Sequence, residues 1–470
     1  MTIRTLALAL AVATLGCRDS AAPISVAPRL TAVNGAVHAA LLPEATFVCT
    51  GSGFGADQGT GTVLVSTVQG LAPAEVLSWS DGEIRVRLPQ GAASGPVSLL
   101  VRGDTLGPLD LFIRESDTFD PATRAWTAGA SLPRGLWGAA SAVLRYPSGG
   151  TMASIVVLNG GVDADSIGQN STFLGIVDAS GALASWMPAP DSVIPAPRYL
   201  HALAGVDRTN AALELESVAY MVGGIDTTGR LLPDVFGIGI TAAAQYGLWT
   251  RLTPLPIARA GAVAIAAFGN LMVIGGFGAD SLALTNVHVA IVNPNGTING
   301  WFDGPDLPEG RAFAAAVIDG DRLYVVGGET GLVSPNVADT VGANVRSSVL
   351  MMRLSERTGF FADTAWTELT PLLQPRSRHA AFVLGRALVV TGGIYPGRPS
   401  QDESEFATIA ADGTIGPFGT TGQVTIADLG GGVLDGAAAP AAWDQRGRAI
   451  AMLIGGRDMT GTPRNGVWWH

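Results

Sequence analysis

Six short apolar runs, each ending in Gly-Gly, recur along the chain: IVVLNGG (155–161), VAYMVGG (218–224), LMVIGG (271–276), LYVVGG (323–328), LVVTGG (388–393) and AMLIGG (451–456). Successive glycine pairs are 52 to 65 residues apart. A repeat of that period means one structural unit used several times, each burying its apolar face against its neighbours. The runs are too short for a buried helix and too apolar for a surface strand. Each reads as a strand covered on both faces and stopped by residues that can turn at positive φ.

The remaining composition agrees. A chain of 470 residues exceeds one ordinary domain unless its architecture is repetitive. Charged residues make up 14%, against about 25% in an average domain. With 62 glycines and few stretches of helical period, the expectation is an all-β protein rich in tight turns. The net charge of −11 argues against nucleic acid as a partner, since binding it needs a basic surface. Lysine is absent and all 28 basic residues are Arg, a bias that a GC-rich genome explains without any function.

Arg4 and the apolar stretch Thr5 to Gly16 read as an export signal too short to span a bilayer. The stretch ends Thr14-Leu15-Gly16-Cys17, which resembles a bacterial lipoprotein cleavage box, with Thr14 where that pattern has Leu. The resemblance implies a signal peptide over 1–17, lipidation of Cys17, a tether over 18–27, and contact with a membrane only through the lipid. The expected location is the bacterial cell envelope, or otherwise the periplasm or medium. Cys49 is then the one remaining cysteine. A disulfide framework is not expected, and Cys49 reads as a small apolar residue in a strand.

Residues 28–114 form a separate unit. Ile84, Val86 and Leu88 alternate with Arg85 and Arg87, the period-2 pattern of a half-exposed strand. Gly51-Ser52-Gly53-Phe54-Gly55, Trp79-Ser80-Asp81 and Pro89 followed by Ala93-Ser94-Gly95-Pro96-Val97 closely resemble the IPT/TIG immunoglobulin-like domain. That resemblance implies a small two-sheet sandwich used as a spacer or interaction module.

From 117 to 470, aromatics keep pace with the glycine pairs: Trp126, Trp186, Trp249, Trp301, Trp366 and Phe418. Gly181 to Trp186, Gly296 to Trp301 and Gly413 to Phe418 each span five residues. Each period then holds a small-residue strand, the Gly-Gly strand, an alternating strand and an aromatic-bearing outer strand. Arg259, Arg311 and Arg376 stand 16 residues before Gly275, Gly327 and Gly392, and Arg134 and Arg198 are assigned the same slot behind longer hairpins. The sixth period lacks the Arg and has small residues around Gly436. This order resembles the blade of a kelch β-propeller. The resemblance implies six blades, the sixth closed by pairing Thr118–Trp126 with Val467-Trp468-Trp469, which removes two open sheet edges.

The repeated arginines could form an anion-binding mouth, but repetition at equivalent positions favours a structural role. A slot 14 residues before Gly-Gly is more telling. In kelch modules that bind acidic peptides, Arg here faces the channel. This chain has Gly261, Phe313 and Arg378 there, with Leu136 and Leu200 assigned to the first two blades. Only Arg378 matches. The expected mouth is mostly apolar, with Trp137 and Tyr199 nearby, suited to a sugar ring or an apolar side chain, unless these residues simply plug the channel.

His201 and His379 share one blade position, three after the Arg, so the repeat accounts for them; no histidine pair has zinc-ligand spacing, and neither metal nor cofactor is expected. A copper site resembling that of galactose oxidase needs a cysteine the propeller lacks, and no convincing set of sialidase Asp-box turns occurs. A kelch sialic-acid mutarotase, needing an Arg and an acid/base pair, remains open, with Arg378 and a carboxylate still to be identified; Glu329 follows the fourth Gly-Gly. The leading expectation is a non-catalytic, exported envelope protein that binds a glycan or protein through its loops and channel mouth. A carbohydrate-active enzyme and a structural envelope component are the alternatives.

Overall fold

The computed structural model describes residues 27–33, 38–41, 44–67, 70–113, 126–148, 151–178, 181–209, 215–240, 246–293, 295–336, 344–355, 360–394, 404–410, 412–420, 437–443, 449–458 and 462–469. The export signal, Cys17 and nearly all of the tether lie outside these residues, as do Thr118 to Ala125 and the segment around Gly436.

The N-terminal unit is a sandwich of a four-stranded and a five-stranded sheet. In the strand Glu83–Arg87, Ile84 and Val86 point into the core while Arg85 and Arg87 are exposed. Phe47, Cys49, Val63, Val97 and Leu99 complete that core. Burial pushes the Cys49 thiol up to about 12, so it behaves as an apolar side chain. The two glycine- and tryptophan-bearing motifs interlock. Phe54 N donates to Asp81 O (3.0 Å), Gly55 N to Asp81 Oδ1 (2.8 Å), and Trp79 Nε1 to Phe54 O (3.3 Å). A Cβ on Gly51 would lie 1.9 Å from Arg29 O, so no other residue fits there.

The other described strands form a ring of six four-stranded antiparallel sheets, with one further short pairing of Arg198–Tyr199 with Ile225–Asp226. Blade 1 consists of Ala140–Ser148, Thr151–Asn159, Thr172–Val177 and Leu183–Pro188. Blades 2 to 5 repeat that order through Gly419–Thr420. Blade 6 takes Ala437–Trp443, Ala449–Ile454 and Val467–Trp469 from the C-terminal end and Thr127–Ala128 from the other end of the ring. Thr127 pairs with Trp469 and Ala128 with Trp468, which closes the ring. The closing strand begins just past Trp126, later than the expected Thr118–Trp126 segment.

Every Gly-Gly strand is the second of its blade and is buried; all residues of Asn270–Ile274 and Ala387–Thr391 are inaccessible. Both glycines of each pair have positive φ, for example 59° and 89° at Gly275 and Gly276. The outer aromatics fasten each blade to the one before it. The indole nitrogens of Trp186, Trp301 and Trp366 donate to the carbonyls of Ala130, Thr253 and Pro305 in the preceding connection. Trp249 Nε1 does the same to Ser192 O.

Candidate functional site

The residues around the central channel are set by a ring of main-chain bonds. Leu200 N donates to Gly138 O, Gly261 N to Leu200 O, Phe313 N to Gly261 O and Arg378 N to Phe313 O, at 2.7 to 2.9 Å. All five residues lie in the left-handed region, with φ between 52° and 62°. Glycine accepts that conformation freely, whereas Leu, Phe and Arg each pay about 1 kcal/mol for it. Glycine and bulk alternate from Gly138 to Phe313, and Arg378 then follows Phe313 directly. Phe313 lies across Gly261, where a Cβ would come within 2.8 Å of its ring, and Leu200 lies beside Gly138.

This equivalence moves two of the expected residues. The arginine carbonyls accept from the second glycine of the preceding blade: Gly161 N to Arg198 O, Gly224 N to Arg259 O, Gly276 N to Arg311 O and Gly328 N to Arg376 O. In blade 1 the corresponding bond, Gly456 N to Leu136 O (2.7 Å), falls on Leu136. Leu136 therefore occupies the arginine slot and packs with Leu132, Met452 and Ile454 below the mouth. Arg134 lies two residues earlier, half exposed, and donates to Gln169 Oε1 (2.8 Å). Gly138 takes the channel position. Counting back from Gly-Gly crosses hairpins of unequal length, which hides the shift. A better marker was present: Leu132, Ile194, Leu255, Leu307 and Leu372 are all buried, and each stands four residues before the slot.

The other four repeat arginines are buried and bonded to backbone or to neighbouring side chains. Arg198, Arg259 and Arg376 donate through Nη1 to the first glycine carbonyl of their own blade, Gly223, Gly275 and Gly392. Arg311 donates to Ser348 Oγ (2.6 Å). Burial lowers Arg259 to about 10. Arg376 also pairs with Glu405 at 2.8 Å, both side chains inaccessible, a carboxylate that the repeat spacing did not single out.

At the channel, Leu200 and Phe313 are 7% exposed and Arg378 is 5% exposed. Leu200 and Phe313 form one apolar cluster with Ile225, Phe277 and Val333. Arg378 stacks on Phe313, its guanidinium carbon 3.6 Å from the ring centroid. Its Nε donates to Glu329 Oε1 (3.1 Å) and its Nη2 to Ser334 O (2.6 Å). Ser377 Oγ donates to the same Glu329 oxygen (2.9 Å). Trp137 and Tyr199 are half-buried and meet edge to face at 5.4 Å. Arg457, the residue after the sixth Gly-Gly, covers one face of Trp137 at 3.9 Å. Arg378 Nη1 and Arg457 Nη2 reach the same carbonyl, Pro335 O, at 3.5 Å each. The structure thus brings together Leu200, Phe313, Arg378, Tyr199 and Trp137, and adds Glu329, Arg457 and the 331–336 loop.

Above this layer stand the loops that follow each Gly-Gly. In the first, third and fourth of them an apolar side chain stands at the tip, with Ile167 57%, Leu282 46% and Leu332 68% exposed, whereas the second ends in Thr227-Thr228-Gly229-Arg230. The third and fourth loops are joined, with Ala283 N donating to Gly331 O and Val333 N to Ser281 O, both 2.8 Å. His201 and His288 are buried, and both ring nitrogens of His379 are shielded from solvent. His201 Nε2 lies 2.7 Å from Asn159 Oδ1, and burial lowers both His201 and His379 to about 3. Among the described residues, no group of three or more His, Cys, Asp or Glu side chains is placed to hold a metal ion, and no helix is long and apolar enough to cross a membrane.

No protein-family model matches the chain. It is 29% identical over 219 residues to a Kelch-like protein, terF, of Aspergillus terreus, covering 46% of this chain and 43% of that one. It is 28% identical over 263 residues to the serine/threonine-protein phosphatase BSL2 of Arabidopsis thaliana, covering 52% of this chain and 24% of the relative. Alpha-scruin of Limulus polyphemus is 24% identical over 185 residues, 39% and 18% of the two chains. The chain thus spans less than half the length of each of these relatives. Among solved structures, that of YjhT superposes with a TM-score of 0.49 at 15% identity, covering 72% of this chain and 95% of that one. The ring of repeats, together with the kelch-like relative, makes the fold a kelch β-propeller.

Proposed function

We propose that the protein is a non-catalytic binding platform, exported and held at the cell envelope by lipidated Cys17. Its propeller presents the post-Gly-Gly loop face to a protein ligand. The observation that carries this reading is the set of exposed apolar tips, Ile167, Leu282 and Leu332, around the half-buried Trp137–Tyr199 pair. Exposed apolar side chains gathered at one end of a rigid scaffold are what a partner surface covers. A protein ligand is favoured over a glycan because Arg457 already covers one face of Trp137, which leaves less ring for a sugar to stack on.

The enzymatic alternative, of sialic-acid mutarotase type, would use Arg378 with Glu329. These two are already paired and nearly inaccessible, which favours a scaffold role, since an acid/base group has to reach the proton it moves.

The test compares wild type with a variant carrying Ile167→Asp, Leu282→Asp and Leu332→Asp. An envelope pull-down and a glycan array are run with both, and turnover of free sialic acid is assayed with wild type. The proposal expects a captured protein that the variant loses, and no turnover. Unchanged capture by the variant, or turnover, overturns it. Cys17→Ser should release the protein from the membrane fraction; retention there would contradict the lipid anchor.

A further inference from the structure

The outer edges of the six blades are not alike. Among the described residues five end in strands of two or three residues: Thr127–Ala128, Thr250–Arg251, Phe302–Asp303, Thr367–Leu369 and Gly419–Thr420. Three of those five carry a charge, on Arg251, Asp303 and Glu368. Short, charged edges are how β-proteins avoid pairing with other strands. Blade 1 has neither of these two; it keeps only Pro188 at the end of the strand and a bulge opposite Ile176 and Val177. Its edge strand, Leu183–Pro188, is six residues long with the sequence LASWMP and no charge. The Leu183 carbonyl is used, accepting from Ala130 N at 3.0 Å. Ala184, Ser185, Met187 and Pro188 are exposed.

A second observation falls at the same place. Ser192 Oγ donates to Gly247 O (2.7 Å), and Trp249 Nε1 to Ser192 O (2.9 Å). These bonds bring 247–249 of blade 2 against the exit of the blade 1 edge. Met187 (46%), Val193 (48%) and Leu248 (67%), three of the large exposed apolar side chains, flank that junction. The nearby charges among the described residues are Asp178 in the hairpin before the strand and Asp191 after it, both exposed, and Arg251, which is paired with Asp234.

We propose that this edge pairs with the same edge of a second copy of the chain, antiparallel across a two-fold axis, joining two first blades into one continuous sheet. An antiparallel strand is its own complement, so a two-fold contact needs no second surface. An uncharged edge can meet itself without like-charge repulsion, and Met187, Val193 and Leu248 supply apolar area beside it. The two whole chains, each of net charge −11, repel one another. Added salt therefore tightens the contact, whereas it would weaken the grip of a basic partner on the same edge.

Sedimentation of the full chain over a concentration series tests this. The wild type should form a dimer, no higher oligomer, and bind itself more tightly as salt rises. Ser185→Lys and Ser185→Glu should each weaken the dimer about tenfold or more, with thermal unfolding unchanged, and mixing the two should restore it. Leu248→Glu, which lies off the strand, should weaken it as well and guards against a folding artefact in the strand variants. A chain monomeric at every concentration, a dimer indifferent to both Ser185 variants, or one that salt dissociates overturns the proposal.

Discussion

At the scale of single residues, the glycines of the channel layer make room for the bulky side chains beside them, Gly138 for Leu200 and Gly261 for Phe313. Gly261→Ala should destabilise the protein by roughly 1–3 kcal/mol. Its Cβ would press on the Phe313 ring, and the residue would be locked at φ +60°. The slot assignment makes a sharper contrast. Leu136→Ala should cost about 2–5 kcal/mol, while Arg134→Ala, at a half-exposed side chain, should change stability by under about 0.5 kcal/mol. Chemical denaturation of both variants checks this, and equal effects would reject the assignment. Glu405→Ala leaves the inaccessible Arg376 without its carboxylate and should cost about 3–5 kcal/mol in the same experiment.

At the scale of elements, blades are units that cannot stand alone, and the indole-to-carbonyl bonds are the fasteners between them. Trp301→Phe keeps most of the buried ring but removes the bond to Thr253 O; a loss of roughly 1 kcal/mol is expected. This scale also shows why some of the structure was readable from sequence. The Gly-Gly strands were, because a glycine pair at positive φ and a doubly buried strand both leave strong compositional marks. The outer strands were less so: most begin one residue after the aromatic rather than containing it, as at Trp249 and Thr250–Arg251. The expectation of bulk at Phe313 rests on counting along a regular blade, whereas Leu200 and Leu136 are both assigned across longer hairpins. Across those hairpins Arg198 marks the arginine slot, but in blade 1 that slot holds Leu136 and the nearby Arg134 stands two residues before it. The contacts of Glu329 and Arg457 with other blades, and of Glu405 with Arg376 within one blade, depend on tertiary distance, which no local pattern carries.

For the whole molecule, the interfaces of blades 1 with 2 and 4 with 5 each enclose a histidine kept neutral by burial, with Arg198 and Arg376 adding to the effect. In the unfolded chain these groups titrate near 6.5, and in the folded chain near 3. Between those values the unfolded state binds more protons. Stability is therefore full above about pH 6.5 and falls as the medium is acidified toward pH 3, by about 1.4 kcal/mol per pH unit for each histidine. His201→Gln with His379→Gln should flatten that slope in denaturation at a series of pH values. The account as a whole rests on the ring being closed by strands from opposite ends of the propeller. The most direct measurement is disulfide trapping of Ala128→Cys with Trp468→Cys, in a Cys17→Ser background, since these two positions are paired across the closing strands. The prediction is a 128–468 bond under mild oxidation, found by peptide mass spectrometry and accompanied by a higher unfolding temperature. Two reactive thiols that never join would contradict the closed ring.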